Sequence, residues 1–558
     1  MRLRFRRPAR AQAGSRALAI LQPYARPGYW NGHQKLGLTL LGLIAFFYGF
    51  FFSLTTTFLL VQLSAPLAVL ALMVIWLLPQ TGKVPTVLLT RLFFTGLLVQ
   101  FCWPDYLALG LPGMPLITIP RLVTVPMAII FLICLSQSDT FRGKLKGILD
   151  TAPAVWKLIL AFSLLALISI VFSETPAVSV NKYVAMMLAW VLSFFVAAWI
   201  FAAPGKTRVL TYVILAGVVV MCVIGVWEAL AGRVLWAGHL PGFLKPDNPV
   251  VDKILGGASR STTGTHRVQG KFTTPLGFAE MLVYVMPVIL HMALTEKRRV
   301  LRVLCAVLIP IFLYLIIMAD SRLGMVGFSA TLLLYLLFWA VERWRRHRDS
   351  IFGPAVTLAF PAIAGAFLMA TFLIGRLHAL VWGTGAHKYS NEGRLGQLAE
   401  GLPLVLKHPW GYGIGRGAET LGFTNPAGAL SIDNYYLLIA LEYGVVGFFV
   451  FYGIFAVAIY KGARQILNYE GEEEVFIAPI MIALVNFVII KAVFSQVEGH
   501  GLIFIYVGWL LALLYRIEKR KALRPDAPLP AISDGRHRGR ASLPDARKGL
   551  PLAKRPTD

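Results

Sequence analysis

The sequence predicts an all-α polytopic membrane protein, and two observations predict it. The chain of 558 residues is 57% apolar, with a mean hydropathy of +0.69. Apolar runs close to the roughly 20 residues that a helix needs to cross a bilayer recur along most of its length. These runs lack the alternation of period two that a membrane β-barrel shows, and backbone groups in lipid must bond internally, so helices are expected.

About fourteen spans fit between residues 36 and 516, which we predict to form one membrane domain. Residues 1–35 are predicted to be a basic N-terminal arm, and residues 517–558, which mix Pro, Gly, Ala and Arg, a disordered basic tail. The predicted spans are 36–54, 55–79, 85–102, 118–137, 157–173, 183–203, 208–231, 275–294, 301–319, 323–342, 352–375, 434–460, 475–495 and 500–516.

The basic segments orient this membrane domain. FRGKLKG, TEKRRVLR and ERWRRHR fall on the same side as the N-terminal arm and the tail RIEKRKALRP, which predicts that this side, with both termini, is cytoplasmic. MRLRFRRPAR precedes no early apolar run or cleavage site, so it reads as a cytoplasmic arm and not a signal peptide. The net charge of +26 follows from this topology, and no nucleic-acid partner is predicted.

The cysteines point to neither a disulfide framework nor a metal site. They lie in or beside apolar runs, without CxxC or His-paired spacing, and are predicted to be small core residues. No carboxylate cluster suggests a metal, and we predict no metal and no cofactor. The cysteines are Cys102, Cys134, Cys222 and Cys305.

Two large loops are predicted on the outer side, at about 232–274 and 376–433, and both are basic. A cation in a long loop has little cost by the topology rule, so each residue alone is weak evidence. Together they suggest an anionic ligand, because the planar fork of arginine suits phosphate. The residues are Lys245, Lys253, Arg260, Arg267 and Lys271 in the first loop, Arg376, Lys388, Arg394, Lys407 and Arg416 in the second, and Arg322 in the turn ADSRLG.

The second loop contains RLGQLAEGLPLVLKHPWG, which places four leucines at helical spacing: Leu395, Leu398, Leu402 and Leu406. This predicts a short amphipathic helix on the membrane surface, with Trp410 at the interface, although packing against other spans explains the pattern equally well. GYGIGRG follows and lacks the ending of a phosphate-binding Walker motif. We interpret it as a flexible turn; the alternative is that its glycines admit a glycan or phosphate close to the backbone.

The first loop ends in THRVQGKFTTPLGFAEML, in which Thr274 and Pro275 predict the start of a helix. Arg267 and Lys271 would stand above this helix N-terminus, a position favourable to anions. Glu280, further along the helix, is expected either to be buried and paired or to face the cavity.

The stretch SIDNYYLLIALEYGVVGFF places Asp433 and Asn434 at the mouth of a span. An N-cap explains such residues. A carboxylate beside arginines at the membrane boundary could also accept a proton from a sugar hydroxyl, provided that burial raised its pKa. Glu442 is expected to face the helix bundle, where Gly444 and Gly447 allow close helix packing.

This stretch resembles the signature span of the bacterial O-antigen ligase and O-antigen polymerase superfamily: His-Asn, an aromatic residue, Leu, then Glu-x-Gly-x-x-Gly. The resemblance covers about residues 36–516. Further segments fit the family's order and sidedness: WPDYLALGLPGMPLITIPRL, RVQGKFTTPLGFAEML, ADSRLG and EGRLGQLAEGLPLVLKHPWGYGIG.

The resemblance implies a glycosyltransferase-C-like membrane fold and an inner-membrane enzyme with a periplasmic active site, acting on glycans carried by undecaprenyl diphosphate. Its partners would be that donor, a glycan or lipid acceptor, and membrane lipids. Asp433, Arg394, Arg322 and Asn434 are the expected catalytic residues, with Asp433 at the position of the family's His. The expected substrate-binding residues are Arg267, His266, Lys271, Arg416, Tyr436 and Glu442.

The Asp in place of His favours a polymerase of exopolysaccharide or O-antigen repeats. A ligase that moves the glycan to lipid A core or a protein stays open. A transporter of lipid-linked glycan is the rival from another class, because Arg91, Glu228 and Lys491 lie within or near spans.

Overall fold

The structure is a computed structural model that describes residues 59–80, 83–109, 117–244, 249–259, 264–346, 349–375, 378, 382, 388–424, 430–493 and 495–523. The predicted arm 1–35 and the first predicted span lie outside the described residues. So do the tail from residue 524 on and three of the predicted loop cations, Lys245, Arg260 and Arg376.

The described part of the chain is almost entirely helical. Its helices are α1 (Leu59–Leu77), α2 (Thr86–Cys102), α3 (Ile119–Gln137), α4 (Asp139–Leu149), α5 (Pro153–Ser169), α6 (Pro176–Met186), α7 (Leu192–Phe201), α8 (Lys206–Ala231), α9 (Pro249–Leu255), α10 (Pro275–Thr295), α11 (Arg299–Met318), α12 (Arg322–Arg346), α13 (Phe352–Leu373), α14 (Lys388–Lys407), α15 (Gly417–Leu421), α16 (Tyr435–Gln465), α17 (Ile477–Ile490) and α18 (His500–Leu523). Two short antiparallel hairpins pair β1 (Ala108–Leu109) with β2 (Ile117–Thr118) and β3 (Ala258–Ser259) with β4 (His266–Arg267).

The predicted fold class, an all-α polytopic membrane protein, is confirmed. Among the described residues, ten helical segments are long and apolar enough to cross a membrane, and one of them joins α6 to α7 through a π-helical turn, Met187–Val191. Observed bounds follow the predicted ones closely, as for α3 and α10. The last predicted span continues to Leu523, so the first residues of the predicted disordered tail are helical.

The core of the bundle surrounds α10 and α18, the most enclosed of these helices. α18 packs on α7, where Gly508 lies against the backbone of Phe194. α10 contacts α11, α12 and α17, while α16 packs against α5 and α17. Small residues allow this close helix packing in the absence of a hydrophobic driving force between helices in lipid.

The described parts of FRGKLKG, TEKRRVLR, ERWRRHR and RIEKRKALRP, which are predicted to share one side, lie at one end of the bundle. An acidic turn at residues 470–474, between α16 and α17, binds several of them through ion pairs and a hydrogen bond. These contacts are Lys297 with Glu472 at 2.6 Å, Arg516 with Glu473, Arg520 with Glu474, and Arg346 with the carbonyl oxygen of Tyr469 at 3.3 Å.

The two long loops lie at the other ends of these helices and carry structure of their own. The first loop contains α9, a short 3-10 helix (Gly242–Leu244) and the β3–β4 hairpin. The second contains α14 and α15. The predicted start of α10 is confirmed, because the Thr274 side chain accepts a hydrogen bond from the Gly277 amide at 3.1 Å and Pro275 opens the helix.

Candidate functional site

An arginine and an aspartate predicted to act together lie next to each other. Arg394 is on α14, Asp433 precedes α16, and Arg394 Nε lies 3.8 Å from Asp433 Oδ2. The buried side chain of Gln397 fixes this arrangement: its Oε1 accepts from the Asp433 amide at 2.9 Å and its Nε2 donates to the Ser431 carbonyl at 3.4 Å. One turn of α14 therefore ties the arginine to the entrance of α16.

The pair lies at the surface of the protein and yet is partly desolvated. The Arg394 and Asp433 side chains are 24% and 40% exposed, so a ligand can reach them from outside. Burial raises the pKa of Asp433 above its ordinary value, and the charge of Arg394 opposes this shift. Burial also lowers the pKa of Arg394, against the effect of Asp433. The aspartate is therefore a better proton acceptor than a fully exposed one.

Asn434 caps α16. Its Oδ1 accepts hydrogen bonds from the amides of Tyr436 and Leu437, at 2.9 and 3.3 Å. This satisfies amides that a helix start leaves without partners and explains the residue by itself. The side chains of these two adjacent residues therefore have different partners. Asn434 bonds to the backbone of its own helix, whereas Asp433 lies beside Arg394.

The first part of α16 is interrupted at Gly444, whose φ of 71° and ψ of −177° are not helical. The glycine segment, residues 409–417, fills this break and bonds to it backbone to backbone. The bonds run from the amide of Tyr412 to the carbonyl of Leu441 at 2.8 Å, from the amide of Gly413 to that of Glu442 at 3.1 Å, and from the amide of Val445 to that of Pro409 at 2.9 Å.

Glycine is required on both sides of this contact. Gly411 has a φ of 91°, and a Cβ there would lie 2.5 Å from the Glu442 carbonyl oxygen, while a Cβ at Gly444 would clash with the Pro409 carbonyl. The interpretation of GYGIGRG as a flexible turn is therefore wrong. Gly411 admits the backbone of α16, and Gly413 lies against Ser169 and Ser173. The alternative, that the glycines let a glycan or phosphate approach the backbone, stays a prediction.

Glu442 faces the helix bundle, as predicted, and is buried. Its Oε1 accepts from the amide of Gly417 at 3.3 Å, so the carboxylate holds the far end of the glycine segment. Arg416 lies next to it and is paired with Glu174 and Glu419. The structure places both predicted substrate-binding residues in contacts that stabilise this segment.

Tyr436 is directed into the bundle. Its hydroxyl donates to the carbonyl of Val488 on α17, and its ring meets that of Tyr452 edge-on at 4.7 Å. The hydrogen bond holds α16 against α17, and the ring contact lies within α16. The structure does not bring this predicted substrate-binding side chain to the Arg394–Asp433 pair.

The other two predicted arginines lie at one turn. Arg267 Nε donates to the Ala319 carbonyl at 3.1 Å, and its Nη2 donates to the Asp320 carbonyl at 3.3 Å. Arg322, two residues after Asp320, is the first residue of α12. The first outer loop is thus bonded to the turn ADSRLG, and it brings Arg267 to the backbone that precedes Arg322.

The buried carboxylate of Glu228 holds the first outer loop against α8. Glu228 on α8 accepts from His266 Nε2 at 2.9 Å and from the amides of Gln269 and Gly270 at 3.1 and 2.7 Å. His266, a predicted substrate-binding residue, therefore connects the loop to α8. The same contacts give Glu228 a structural role. Its position within a predicted span had suggested a transporter.

Lys271 is almost fully buried, with its Nζ 3.7 Å from Asp105 Oδ2. Nearby, Glu498 accepts from Thr273 through the hydroxyl at 2.6 Å and the amide at 3.2 Å. Burial raises the pKa of Glu498 to about 6, with Asp105 acting in the same direction and Lys271 against it. Sequence reasoning missed Glu498 and Asp105; the available signal was an acid in each of two turns on the predicted outer side, WPDY and SQVEGHG.

The entrance of α16, which follows Asp433, and the first turn of α12, which contains Arg322, are each connected to the first turns of α10. On one side, Glu280 is buried and paired with Lys491 at 2.8 Å, and the Lys491 carbonyl accepts from the Tyr435 amide at 3.1 Å. On the other side, a Cβ at Gly324 would lie 3.2 Å from the Cβ of Ala279. Of the two predicted alternatives for Glu280, the paired one is observed, and it connects α10 to the entrance of α16.

Residues 307–452 match the family model described as O-antigen ligase. The matched segment contains Arg322, α14 and its Arg394, the glycine segment, and the first part of α16 with Asp433, whereas Arg267 and Glu498 lie outside it. No curated protein matches the chain.

Proposed function

We infer, from the match of residues 307–452 to the O-antigen ligase family model, that the chain is a periplasmic-face glycosyltransferase of the inner membrane. It polymerises oligosaccharide repeats linked to undecaprenyl diphosphate into exopolysaccharide or O-antigen. The Arg394–Asp433 pair supports this most strongly. It places a guanidinium, which can bind phosphate, beside a carboxylate, which can accept a proton, at an accessible end of the bundle.

The proposed reaction is a displacement at the anomeric carbon of the donor glycan. The acceptor hydroxyl oxygen forms a bond to this carbon, the bond from the carbon to the phosphate oxygen breaks, and its electron pair leaves with the lipid diphosphate. Negative charge therefore develops on the leaving phosphate. Arg394, Arg322 and Arg267 are proposed to stabilise that charge, because fixed guanidiniums interact most strongly with the transition state.

The proton of the acceptor hydroxyl goes to Asp433 in this proposal. The raised pKa of this carboxylate suits a general base better than that of an exposed aspartate. Arg394, 3.8 Å away, favours the ionised form of the carboxylate and is proposed to lie where the leaving phosphate binds. The resemblance gives the ligases a His at this position, so the Asp favours polymerisation over ligation.

Purified protein in vesicles separates these two activities. Supplied with lipid-linked repeats as the sole substrate, it is expected to produce a ladder of longer lipid-linked glycans on a gel. The matched control is the Asp433→Asn protein, which keeps the size of the side chain and should leave single repeats. A product formed only after a separate lipid or protein acceptor is added would contradict polymerisation and support the ligase.

Transport is less well supported than transfer. Glu228 and Lys491, two of the intramembrane charges that suggested it, have buried partners that hold loops and helices in place. In cells, loss of a polymerase leaves single repeats exported but unjoined, whereas loss of a flippase keeps them on the cytoplasmic face. Repeats trapped inside cells that carry Arg394→Ala would favour the transporter.

The pH dependence assigns the base. Transfer requires ionised Asp433, so activity should rise with pH through the pKa of this group, which burial has raised. Arg394 opposes that rise, so Arg394→Gln should move the acid limb of the pH–rate profile to higher pH. Glu498→Gln, which removes a carboxyl with a pKa of about 6, should leave the limb in place. A limb that disappears in Glu498→Gln would assign the proton to Glu498 instead.

A further inference from the structure

α14 has three different faces. The first packs on the protein: Gln397 and Val405 are 1% and 5% exposed, and a Cβ at Gly401 would lie 2.7 Å from Leu437 Cδ2. The second, which we name the leucine face, consists of Leu395, Leu398, Leu402 and Leu406, exposed by 69%, 44%, 52% and 71%. The third is polar and exposed and contains Glu392, Glu400 and Lys407.

These faces follow one another around the helix. At roughly 100° per residue, the protein-packed positions, the leucine face and the polar face occupy successive sectors. A helix between protein and water alone needs only two faces. Four large leucines in a row on a third, exposed face indicate contact with an apolar phase.

The leucine face ends close to the point where the exposed apolar side of α16 begins. Helix α16 has no exposed side chain from Tyr435 to Val445, and its exposed apolar residues begin with Val446 and Phe449, at 62% and 69%. The Pro409 carbonyl accepts a hydrogen bond from the Val445 amide at 2.9 Å. The residues that follow α14 therefore lie next to Val446, where the exposed apolar side of α16 begins. Trp410, 55% exposed, lies there.

The contacts also define how α14 runs. It meets α16 first at Asp433, through Arg394, then at Leu437, through Gly401, and the following chain meets Val445. α14 therefore descends beside the first turns of α16, over about 15 Å at 1.5 Å per residue. Of the two explanations that the sequence left open for the four leucines, packing against other spans is not observed among the described residues, because all four are exposed. Gly401 and Gln397, on another face, hold the helix along α16, so it is inclined.

We propose that the leucine face and Trp410 dock against the hydrocarbon of the outer leaflet, with the polar face of α14 in water. Arg394 directly precedes Leu395, so the bilayer then holds its guanidinium at the boundary between hydrocarbon and headgroups. A lipid diphosphate has its phosphates at this height. Resting on the proposed function, this makes the leucine face a positioning element for Arg394.

Site-directed spin labelling of the full chain in phospholipid vesicles tests the docking. A nitroxide at Leu402→Cys is expected to collide more often with oxygen, which partitions into lipid, than with a water-soluble nickel chelate. The matched control, Glu400→Cys, lies on the polar face of the same helix and should show the reverse. The unsubstituted protein gives the background from the native cysteines, which are buried or half-buried.

Two results would overturn the docking. Nickel accessibility at Leu402 equal to that at Glu400 would place the leucine face in water. Protection from both reagents would mean that another protein surface covers it. Because neither result depends on glycan transfer, this test remains valid if the proposed activity is wrong.

The positioning role has its own test. Leu402→Glu should lower glycan transfer in vesicles at least tenfold, while Leu402→Phe, which stays apolar, should remain within twofold of the unsubstituted protein. Full activity of Leu402→Glu would contradict positioning by the bilayer. Equal spin-label mobility at Glu400→Cys with and without Leu402→Glu would show that α14 itself stays folded.

Discussion

Replacing Arg394 with alanine is expected to lower glycan transfer by about 100-fold or more, equivalent to roughly 3 kcal/mol of transition-state stabilisation. The substitution removes a half-buried guanidinium that lies 3.8 Å from the proposed base, at the position proposed for the leaving diphosphate. Since that charge develops during the reaction, the loss should appear mainly in kcat. Initial rates with lipid-linked repeats in vesicles give the measurement.

Two further variants separate charge from structure. Arg394→Lys keeps the charge but loses the planar fork, so it should recover only part of the activity. Glu400→Gln changes an exposed residue on the same helix and should leave the rate within twofold. Arg394→Ala protein that transfers glycan at the unsubstituted rate, with an unchanged melting temperature, would refute the assignment of this arginine.

Gly444→Ala is expected to disrupt the site without changing a polar group. Residue 444 has a φ of 71° and a ψ of −177°, a conformation that costs a non-glycine residue on the order of 1–3 kcal/mol. The added Cβ would also clash with the Pro409 carbonyl. The glycine segment would leave the break in α16, and α14, which directly precedes it, would shift with Arg394. A displacement of about 1 Å can lower a rate by about 100-fold.

Gly453→Ala is the matched control, because this glycine lies in the same helix and a Cβ there meets Leu158 at an ordinary 3.6 Å. We expect Gly444→Ala to make the chain around residues 409–417 sensitive to protease in vesicles and to lower its melting temperature, with Gly453→Ala unchanged in both. An undigested Gly444→Ala protein with normal activity would contradict the docking of the glycine segment.

Much of the fold could be predicted because the signals are local. Apolar runs of membrane length gave the helices, and Thr274 with Pro275 marked the start of α10. Basic turns were correctly grouped at one end, where they pair with the acidic turn at 470–474. Each of these inferences uses residues close together in sequence, whose conformation depends little on the rest of the chain.

The arrangement of the site could be predicted only in part. The superfamily pattern indicated Arg394 and Asp433, and the structure places them together. The role of the glycines could not be found this way, because a glycine-rich stretch gives no sign of the distant backbone that it approaches, here that of α16. Polar residues at a helix start can cap the helix or take part in chemistry, and the sequence does not separate these two interpretations. The hydrogen bonds of Asn434 show that it caps α16.

Pairings between distant segments were also beyond sequence reasoning. Glu498 accepts a hydrogen bond from Thr273, which lies 225 residues away, and Lys271 forms an ion pair with the distant Asp105. Each residue alone is an ordinary polar residue in a loop. Their partners are known only from the folded structure, in which the outer turns pack together near the start of α10. Burial in that position raises the pKa of Glu498 to about 6, which the sequence does not indicate.

The central proposal is that Arg394 and at least one arginine of the Arg267–Arg322 turn bind a single lipid diphosphate beside Asp433. Electron cryomicroscopy of the full chain in nanodiscs with undecaprenyl diphosphate tests it most directly. We predict diphosphate density within hydrogen-bonding distance of Arg394 and of Arg322 or Arg267, with the Asp433 carboxylate facing the side from which an acceptor would approach. Diphosphate bound at another surface, or in contact with Arg394 alone or with the Arg267–Arg322 turn alone, would contradict this proposal.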